Sequence, residues 1–320
     1  MRVKILGSAA GGGFPQWNCA CPNCRAVRAG TFQGNARTQA QVAISADGRE
    51  WFLLGASPDL RAQIEATPEL QPQGEGTRQS PISGAVLLNA DVDHALGLLL
   101  LRELQPLHVY ATESVQRILT EDNSMFGMLQ RVPGQLTWTT FAPRKVFSPA
   151  AKVCHSDPER AEDKAASAIP CRAIPLGEHF PAYVSDERRA ELSSGEASLG
   201  LVVESGSGRR LGYMPAVPQI TEELLREFES VNVLLMDGTF WSDDELIRLH
   251  GSSQTALQMG HVPVSSPDGS LRRLAHLRRP RKIYIHVNNT NPMLNEAGPE
   301  YRDVREAGWE IAEDGWQFEL

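Results

Sequence analysis

The segment AVLLNADVDHALGLLLL (residues 85–101) has a short polar stretch between two apolar runs. AVLLN predicts a buried strand, and HALGLLLL predicts a helix that starts after a tight turn. Asn89, Asp91, Asp93 and His94 are therefore expected at the carboxyl end of a strand, where α/β proteins place their ligand sites. Polar side chains at the mouth of a core strand are costly unless something binds them. The segment thus predicts a ligand site.

Asp93 also has a simpler interpretation as the N-cap of the following helix, which is a common role for aspartate. A turn could likewise explain Asn89. Neither role accounts for Asp91 and His94 at the same strand end.

The rest of the chain alternates between strand-like and helical patterns, which is typical of an α/β protein. Strands are predicted at residues 2–9, 39–45, 50–56, 83–89, 107–112, 136–141, 199–205, 209–215, 231–237 and 282–287. Helices are predicted at residues 58–66, 94–104, 113–122, 220–230 and 269–277. Residues 68–81 and 155–167 are predicted loops. We expect one domain over residues 1–320, although two related halves would fit the same pattern.

The composition argues against several classes of protein. Hydrophobic residues make up 41% and charged residues 22%, which indicates a soluble globular chain. The formal charge of −8 argues against nucleic acid as the main partner. The sequence contains no apolar run near the roughly 18 residues that a membrane span needs, and its amino-terminal apolar stretch is too short for a secretory signal. We expect a cytoplasmic protein without membrane insertion and leave its oligomeric state open, with a homodimer as one option.

Three of the five cysteines lie in the segment WNCACPNCR. The spacing of Cys19, Cys21 and Cys24 lets three thiolates converge on one tetrahedral zinc ion, with a turn between the second and third. The alternative, three unligated loop cysteines, is poor because exposed thiols oxidise. We expect a structural zinc site whose fourth ligand comes from elsewhere in the chain. Cys154 and Cys171 are isolated and are expected to be ordinary small residues in or near the core.

Three further polar residues lie at the ends of predicted strands or in the loops after them. Asp237 ends VNVLLMD, His286 lies near the end of KIYIHVNN, and His261 lies in LQMGHVPVS. Each alone has an ordinary interpretation, as a turn cap, a hydrogen-bonded core histidine and a loop residue. Their shared placement at strand ends favours a metal site.

The stretch NADVDHALG resembles an altered H-x-H-x-D-H signature of the metallo-β-lactamase-fold family. The opening LGSAAGGGFPQWNCACPNCR and the late IHVNNTNPML are similar to the branch of that family that acts in biosynthesis of pyrroloquinoline quinone (PQQ). LLMDGTFW, MGHVPVS and GYMPAVP extend the resemblance over nearly the whole chain. The resemblance implies a single metallo-β-lactamase-like domain, an α/β four-layer αβ/βα sandwich with its metal site along one edge.

The chain departs from the family pattern in the first of its two metal positions. Asn89 and Asp91 stand where the family has its first two histidines, and Pro215-Ala216 stands where the bridging aspartate is expected. A neutral amide is a poor zinc ligand compared with imidazole, so the resemblance implies that this position binds a metal weakly or not at all.

Asp93, His94 and His286 match the ligands of the second position. Two histidines and one carboxylate with open coordination positions describe the triad of non-haem Fe(II) oxygenases. Fe2+ is therefore the expected active-site ion, although these ligands also accept other divalent metals. Asp91 is expected as a further ligand or a base, and His261 and Asp237 as groups that support the site or contact substrate.

The resemblance implies an iron- and O2-dependent hydroxylase in PQQ biosynthesis. Its substrate would be a small PQQ precursor derived from a peptide, the cross-linked glutamate–tyrosine unit, oxidised on the tyrosine ring. A soluble carrier of PQQ and a residual zinc or manganese hydrolase are the alternatives. The fourth ligand of the cysteine site stays open, because the family relative with a histidine ligand places it at the position of Asn289.

Overall fold

A computed structural model of the protein describes residues 1–74, 76–149 and 169–320, so the predicted loop at 155–167 and Cys154 lie outside the described residues. The chain forms two compact units. The first comprises Met1–Leu6, Gln41–Arg210 and Gly315–Leu320, and the second comprises Gly7–Ala40 and Leu211–Asp314. The expectation of one domain stays a prediction. In the described residues, every helix is too short or too polar to cross a membrane.

The strands follow the predicted apolar runs to within a few residues. In chain order they are β1 (Arg2–Gly7), β2 (Gln41–Ser45), β3 (Trp51–Leu54), β4 (Ile82–Val86), β5 (Leu107–Ala111), β6 (Leu136–Thr140), β7 (Val146–Phe147), β8 (Cys171–Gly177), β9 (Ser198–Glu204), β10 (Arg210–Met214), β11 (Val233–Asp237), β12 (Arg281–Ile285), β13 (Trp309–Ile311) and β14 (Gln317–Glu319). Strands β7, β8, β13 and β14 were not predicted from the sequence.

The helices are short. In chain order the α-helices are α1 (Pro22–Arg28), α2 (Leu60–Glu65), α3 (Val92–Ala95), α4 (Glu113–Thr120), α5 (Asp186–Arg189), α6 (Glu222–Ser230), α7 (Glu245–His250), α8 (Ser270–Arg273) and α9 (Pro299–Glu306). Turns of 3-10 helix lie at Pro68–Leu70, Leu96–Leu101, Ser124–Gln130, Ser194–Glu196 and Pro292–Leu294.

The first unit is built on a sheet with the strand order β14-β1-β2-β3-β4-β5-β6. Strands β3 to β6 run parallel, and β4 is buried along its whole length between β3 and β5. Parallel strands covered on both faces require continuous apolar runs, which explains why AVLLN stands out in the sequence. The unit also contains the antiparallel ladder β7-β8-β9.

The second unit contains the parallel ladder β10-β11-β12-β13. Its central strand β11 is buried throughout, and Asp237 at its end pairs in register with Ile285 of β12. The carboxyl ends of β11 and β12 therefore lie side by side, and the residues that follow them share one edge of the sheet.

The prediction of one helix over residues 94–104 is wrong, because most of this range is not α-helical. Helix α3 ends at Ala95, and a 3-10 segment follows at Leu96–Leu101. The backbone N–H of Gly97 donates to the carbonyl of Ala56 at 2.8 Å, a tertiary bond that replaces the α-helical one. A Cβ at Gly97 would lie 2.2 Å from the carbonyl oxygen of Ser57, so only glycine permits this close approach.

Candidate functional site

Asn89 shapes the turn that follows β4. Its side chain is buried, and its Oδ1 accepts the backbone N–H of Asp91 at 3.2 Å. This bond closes a local turn of the kind that asparagine favours. The amide oxygen is the only atom of Asn89 suited to a metal, and it already has a structural partner.

The N-cap interpretation of Asp93 is wrong. The N-cap of α3 is Asp91, whose side chain makes no capping bond, and Asp93 lies in the first turn. Nε2 of the buried His94 lies 3.7 Å from Oδ2 of Asp93. Two ligand atoms at this separation can both reach one ion when each metal bond is about 2.0 to 2.2 Å long.

His179, which the sequence reasoning missed, also lies at this strand end. It follows β8, and its Nε2 is 3.9 Å from Oδ1 of Asp91. The hydroxyl of Tyr183 donates to the carbonyl of Ala90 and holds the same loop against the turn. Burial, together with the nearby Asp91 carboxylate, raises the pKa of Tyr183 to about 12, which keeps the donor proton in place. The signal that could have found it is IPLGEHF, a short apolar run followed by a glycine and, two residues later, a histidine.

Asp237 of the second unit has every acceptor position occupied. Its Oδ2 accepts the N–H of Val217 at 2.8 Å and lies 2.9 Å from Nδ1 of His261. Its Oδ1 accepts the backbone N–H of Thr239 at 3.0 Å and the Thr239 hydroxyl at 2.7 Å. The side chain is completely buried. A carboxylate with four such partners orients its neighbours rather than binding a metal itself.

The ionisation of Asp237 also fits a carboxylate that orients its neighbours. Burial alone would raise the pKa of its carboxyl, but the imidazole of His261 and, less strongly, that of His286 hold the pKa below its usual value. The carboxylate therefore stays ionised and accepts a proton-bearing nitrogen from His261. The turn-cap interpretation of Asp237 is also correct in part, since its Oδ1 accepts from Thr239.

His286 has a backbone conformation that is rare for a residue with a side chain. It follows β12 with a φ of +59°, in the left-handed region. Its Nδ1 lies 2.8 Å from the hydroxyl of Thr239, and the same hydroxyl lies 2.9 Å from its carbonyl oxygen. When Nδ1 is protonated and donates a hydrogen bond to Thr239, Nε2 has no proton. An unprotonated imidazole nitrogen is the kind that binds metals. Sequence reasoning did not identify Thr239, which links Asp237 to both histidines.

The second unit brings Asp237, His261 and His286 together, with ligand atoms within 4.8 Å of one another. The imidazole rings of His261 and His286 stack with centroids 5.4 Å apart. Asp93, His94 and Asp91 belong to the first unit.

The three clustered cysteines converge in the second unit, with sulfur atoms within 4.8 Å of one another. The expected turn between the second and third is instead the first turn of α1, which begins at Pro22. Cys21 is the helix N-cap, and its sulfur accepts the N–H of Cys24 at 3.5 Å. The N–H of Cys21 in turn donates to the sulfur of Cys19 at 3.4 Å. Backbone donors at a helix start favour thiolates, which are the metal-binding form.

Asn289 occupies the fourth corner of this cluster. Its side-chain Nδ2 lies 3.1, 3.7 and 3.3 Å from the sulfurs of Cys19, Cys21 and Cys24. Ligand atoms around a tetrahedral zinc are separated by about 3.6 Å. A half-turn of the amide exchanges its nitrogen and oxygen, which places an acceptor oxygen at the same corner. His250 lies farther out, with Nε2 at 3.7 Å from the sulfur of Cys19.

The pKa values of two of these thiols are shifted in opposite directions. Burial raises the pKa of Cys21 to about 12. Burial acts in the same direction on Cys19, but hydrogen bonds from the Cys21 backbone and neighbouring side chains outweigh it and lower that pKa. A bound zinc ion deprotonates coordinating thiols outright, and its charge offsets the cost of burying their thiolate forms.

The chain matches the β-lactamase superfamily domain over residues 50–287. It is 39% identical to coenzyme PQQ synthesis protein B of Methylobacterium radiotolerans and 41% identical to that of Stutzerimonas stutzeri, in each case over all of both chains. Among solved structures it is similar to Zn2+-bound PqqB from Methylobacterium extorquens, with a TM-score of 0.87 and 37% identity over all of both chains.

A diphosphatase of the PhnP family has a TM-score of 0.63 at 18% identity, covering 100% of this chain and 97% of that one, and this likeness shows the fold alone. These matches confirm the expected α/β sandwich of the metallo-β-lactamase fold. The chain belongs to the PQQ synthesis protein B family within the β-lactamase superfamily.

Proposed function

We propose that this protein acts in PQQ biosynthesis as a mononuclear non-haem iron hydroxylase. Its substrate would be a small precursor derived from a peptide, the cross-linked glutamate–tyrosine unit, and the tyrosine ring would receive the hydroxyl group. The membership of the PqqB family supports the pathway. The arrangement of the candidate ligands supports the reaction class.

The observation that carries the reaction class is the hydrogen bond between Asn89 and Asp91. Because the neutral amide oxygen of Asn89 already accepts a hydrogen bond within a turn, it would be a poor ligand for the first ion of a two-metal hydrolase. Asp93, His94 and His286 are the residues that would hold the ion, as two imidazoles and one carboxylate. Bound Fe2+ supplies the one-electron chemistry by which O2 reacts with an aromatic ring.

The surrounding residues orient the ligands and handle protons. The Thr239 hydroxyl accepts a hydrogen bond from Nδ1–H of His286, which leaves Nε2 as the nitrogen that would coordinate the ion. Asp237 similarly orients His261, so that Nε2 of His261 can accept a hydrogen bond from a phenolic hydroxyl. Asp91 would accept the proton that the ring carbon loses when it becomes bonded to oxygen.

The reaction needs a reductant. One oxygen atom of O2 enters the ring and the other leaves as water, which consumes two protons and two electrons from a one-electron donor such as ascorbate. In this proposal the electron donor is a reactant supplied from solution.

Cys19, Cys21 and Cys24 would hold a separate zinc ion, with Asn289 as the fourth ligand. This ion would have a structural role, because four protein ligands leave no open position for a substrate. Zinc is the preferred ion for a thiolate-rich tetrahedral site.

The proposed reaction is tested by loading the protein with a metal under argon and then adding substrate and O2. The full chain is loaded with Fe2+ or with Zn2+ and mixed with a synthetic cross-linked glutamate–tyrosine compound, ascorbate and isotopically labelled O2. The Fe2+ protein should consume O2 and transfer one labelled oxygen atom to the ring, and the Zn2+ protein should be inert. Turnover by the Zn2+ protein without O2 would instead establish a hydrolase.

A further inference from the structure

We propose that the cysteine cluster positions His286 through a hydrogen-bonded path that includes Asn23 and Asn291. The path lies within the second unit. Asn23 belongs to α1, between Cys21 and Cys24, and Asn291 lies in the segment that follows β12. A zinc ion bound to the cysteines would fix this path and with it the geometry of His286. The coupling rests on the metal ion of the proposed function and sets how tightly His286 binds it.

The first step of the path joins α1 to the segment after β12. The side-chain amide of Asn23 donates to the carbonyls of Asn289 at 3.1 Å and Asn291 at 3.0 Å. The side chain of Asn289 also faces the three sulfur atoms of the cluster. Helix α1 and the cluster therefore hold the same short segment from two sides. Zinc ligation by Cys21 and Cys24 would fix the first turn of α1, and so the position of the Asn23 amide.

The second step joins that segment to the residues after β11. Asn291 is completely buried, and its Nδ2 donates to the carbonyls of Gly238 at 3.0 Å and Thr239 at 3.3 Å. The backbone N–H of Asn288 donates to the same Thr239 carbonyl at 3.0 Å. Both contacts hold Thr239, whose hydroxyl contacts Nδ1 of His286.

His286 needs such support because its backbone conformation is unfavourable. A φ of +59° strains a residue that has a Cβ, and such a conformation persists only when the surrounding structure holds it. On one side, Val287 is held by backbone bonds to Ser8 and Ala10, each 2.9 Å long. The other side depends on the path described above. If the path loosened, Thr239 would no longer be held against Nδ1, and the tautomer that binds a metal would no longer be fixed.

Nitrogen-15 NMR of the histidines in the full-length protein tests the proposal without a metal at His286. At a pH where imidazole is neutral, the spectra distinguish protonated from unprotonated ring nitrogens, and His286→Gln identifies the signals of His286. A stoichiometric amount of Zn2+ fills the thiolate cluster first. Zinc-loaded protein should show one tautomer of His286, with Nε2 unprotonated, and zinc-free protein should show a mixture of both. Identical His286 signals in the two forms would overturn the proposal.

The affinity for Mn2+ provides a second readout, measured by electron paramagnetic resonance of the free ion. Mn2+ suits carboxylate and water ligands rather than thiolates, so it leaves the cysteine cluster to zinc. Zinc-free protein should bind Mn2+ at the position containing His286 about 5- to 100-fold more weakly than zinc-loaded protein. Coupling of two binding sites is reciprocal, so bound Mn2+ should tighten zinc binding by the same factor.

Two variants interrupt the path and leave the cysteines in place. Asn23→Ala removes the donor that α1 contributes. Asn291→Ser keeps an oxygen for the N–H of Met293 but removes the amide that donates to the residues after β11. Both variants should retain zinc, show mixed tautomers of His286 and lose most of the effect of zinc on Mn2+ affinity.

Asn295→Ala is the matched control, because Asn295 lies in the same stretch of chain but accepts the N–H of Ala297. It should behave like the wild type, and a thermal melt verifies that each variant is folded. A full zinc effect in both Asn23→Ala and Asn291→Ser would overturn the proposal, as would an equal loss in Asn295→Ala. Neither readout uses Fe2+ or O2. A protein that shows the coupling but consumes no O2 with Fe2+ would contradict only the proposed reaction.

Discussion

The hydroxyl oxygen of Thr239 lies 2.8 Å from Nδ1 of His286. The same hydroxyl is 2.7 Å from Oδ1 of Asp237, a carboxylate that can only accept. Thr239 therefore donates to Asp237 and accepts from His286, which sets the imidazole tautomer with Nε2 unprotonated. One hydroxyl group thus connects a buried carboxylate to a proposed metal ligand.

Thr239→Val should remove this connection while keeping the shape of the side chain. We expect about 10- to 100-fold weaker metal binding at the site containing His286, because the imidazole loses the partner that fixes its tautomer. The buried Asp237 also loses one donor, which should cost about 1 to 3 kcal/mol of folding stability. Fe2+ titration and thermal melting measure the two effects. Thr239→Ser retains the hydroxyl and should restore most of the affinity. Equal loss in the serine variant would contradict the hydrogen-bond explanation.

Cys21→Ser should release zinc and lower the melting temperature by roughly 5 °C or more. The sulfur of Cys21 lies in the metal cluster and also caps α1, so both contributions are lost. Metal content by mass spectrometry and calorimetry measure the outcome. Cys171→Ser is the control. Cys171 is also buried, but it lies in β8 and not in the cysteine cluster, so its replacement should affect stability without releasing zinc. Zinc content equal to that of the wild type in Cys21→Ser would contradict the structural site.

Asn89→Ala and His94→Ala should have different effects on iron binding. Asn89 supports a turn, so its loss should leave the iron content nearly intact and cost about 1 kcal/mol of stability. His94 is one of three proposed ligands, so its loss should abolish binding of the active-site ion. Iron quantification after reconstitution distinguishes the two. Similar iron loss in both variants would mean that Asn89 is a ligand.

Most strands of the described residues, but not β7, β8, β13 and β14, could be predicted from the sequence, because burial requires an apolar run. In β8, Arg172 and Pro175 interrupt the apolar run CRAIPLG. Because β8 was missed, so was His179 at its end. Helix α3 was predicted too long because the sequence does not reveal the bond between Gly97 and Ala56.

The residue types of the site could be predicted, but their partners could not. Asp237, His261 and His286 were identified because polar residues stand out after apolar strands. Their connection through Thr239 depends on the parallel pairing that sets Asp237 beside Ile285. Strand order and register of this kind arise from long-range packing, which a local pattern does not encode.

Glu245 should make the stability of the protein depend on pH. Burial raises the pKa of this carboxyl from 4.5 to about 7, although Thr290 and the N–H of Trp241 donate to it. A carboxyl whose pKa is higher in the folded state favours folding most below pH 4.5, and that contribution is lost as pH rises to about 7. The loss amounts to about 3 kcal/mol.

Glu245→Gln is the variant that isolates this effect, because it keeps a neutral group of similar size. Urea unfolding from pH 5 to pH 8 should show that the wild type loses stability relative to the variant as pH rises. A constant difference between the two proteins across this range would mean that Glu245 does not titrate there.

Asp93→Ala and Asp91→Ala should separate the carboxylate that holds the catalytic ion from the one beside it. Asp93 lies in the first turn of α3, next to His94, and is the only carboxylate of the proposed triad. Its removal should abolish Fe2+ binding and O2 consumption together. Asp91 is the N-cap residue paired with His179, so its removal should leave one tightly bound Fe2+ in place and slow turnover by about 10- to 1,000-fold, through loss of a proton acceptor. Fe2+ binding isotherms and an O2 electrode report the two properties separately. Loss of the tight Fe2+ in Asp91→Ala, with retention in Asp93→Ala, would reverse the assignment of the two carboxylates.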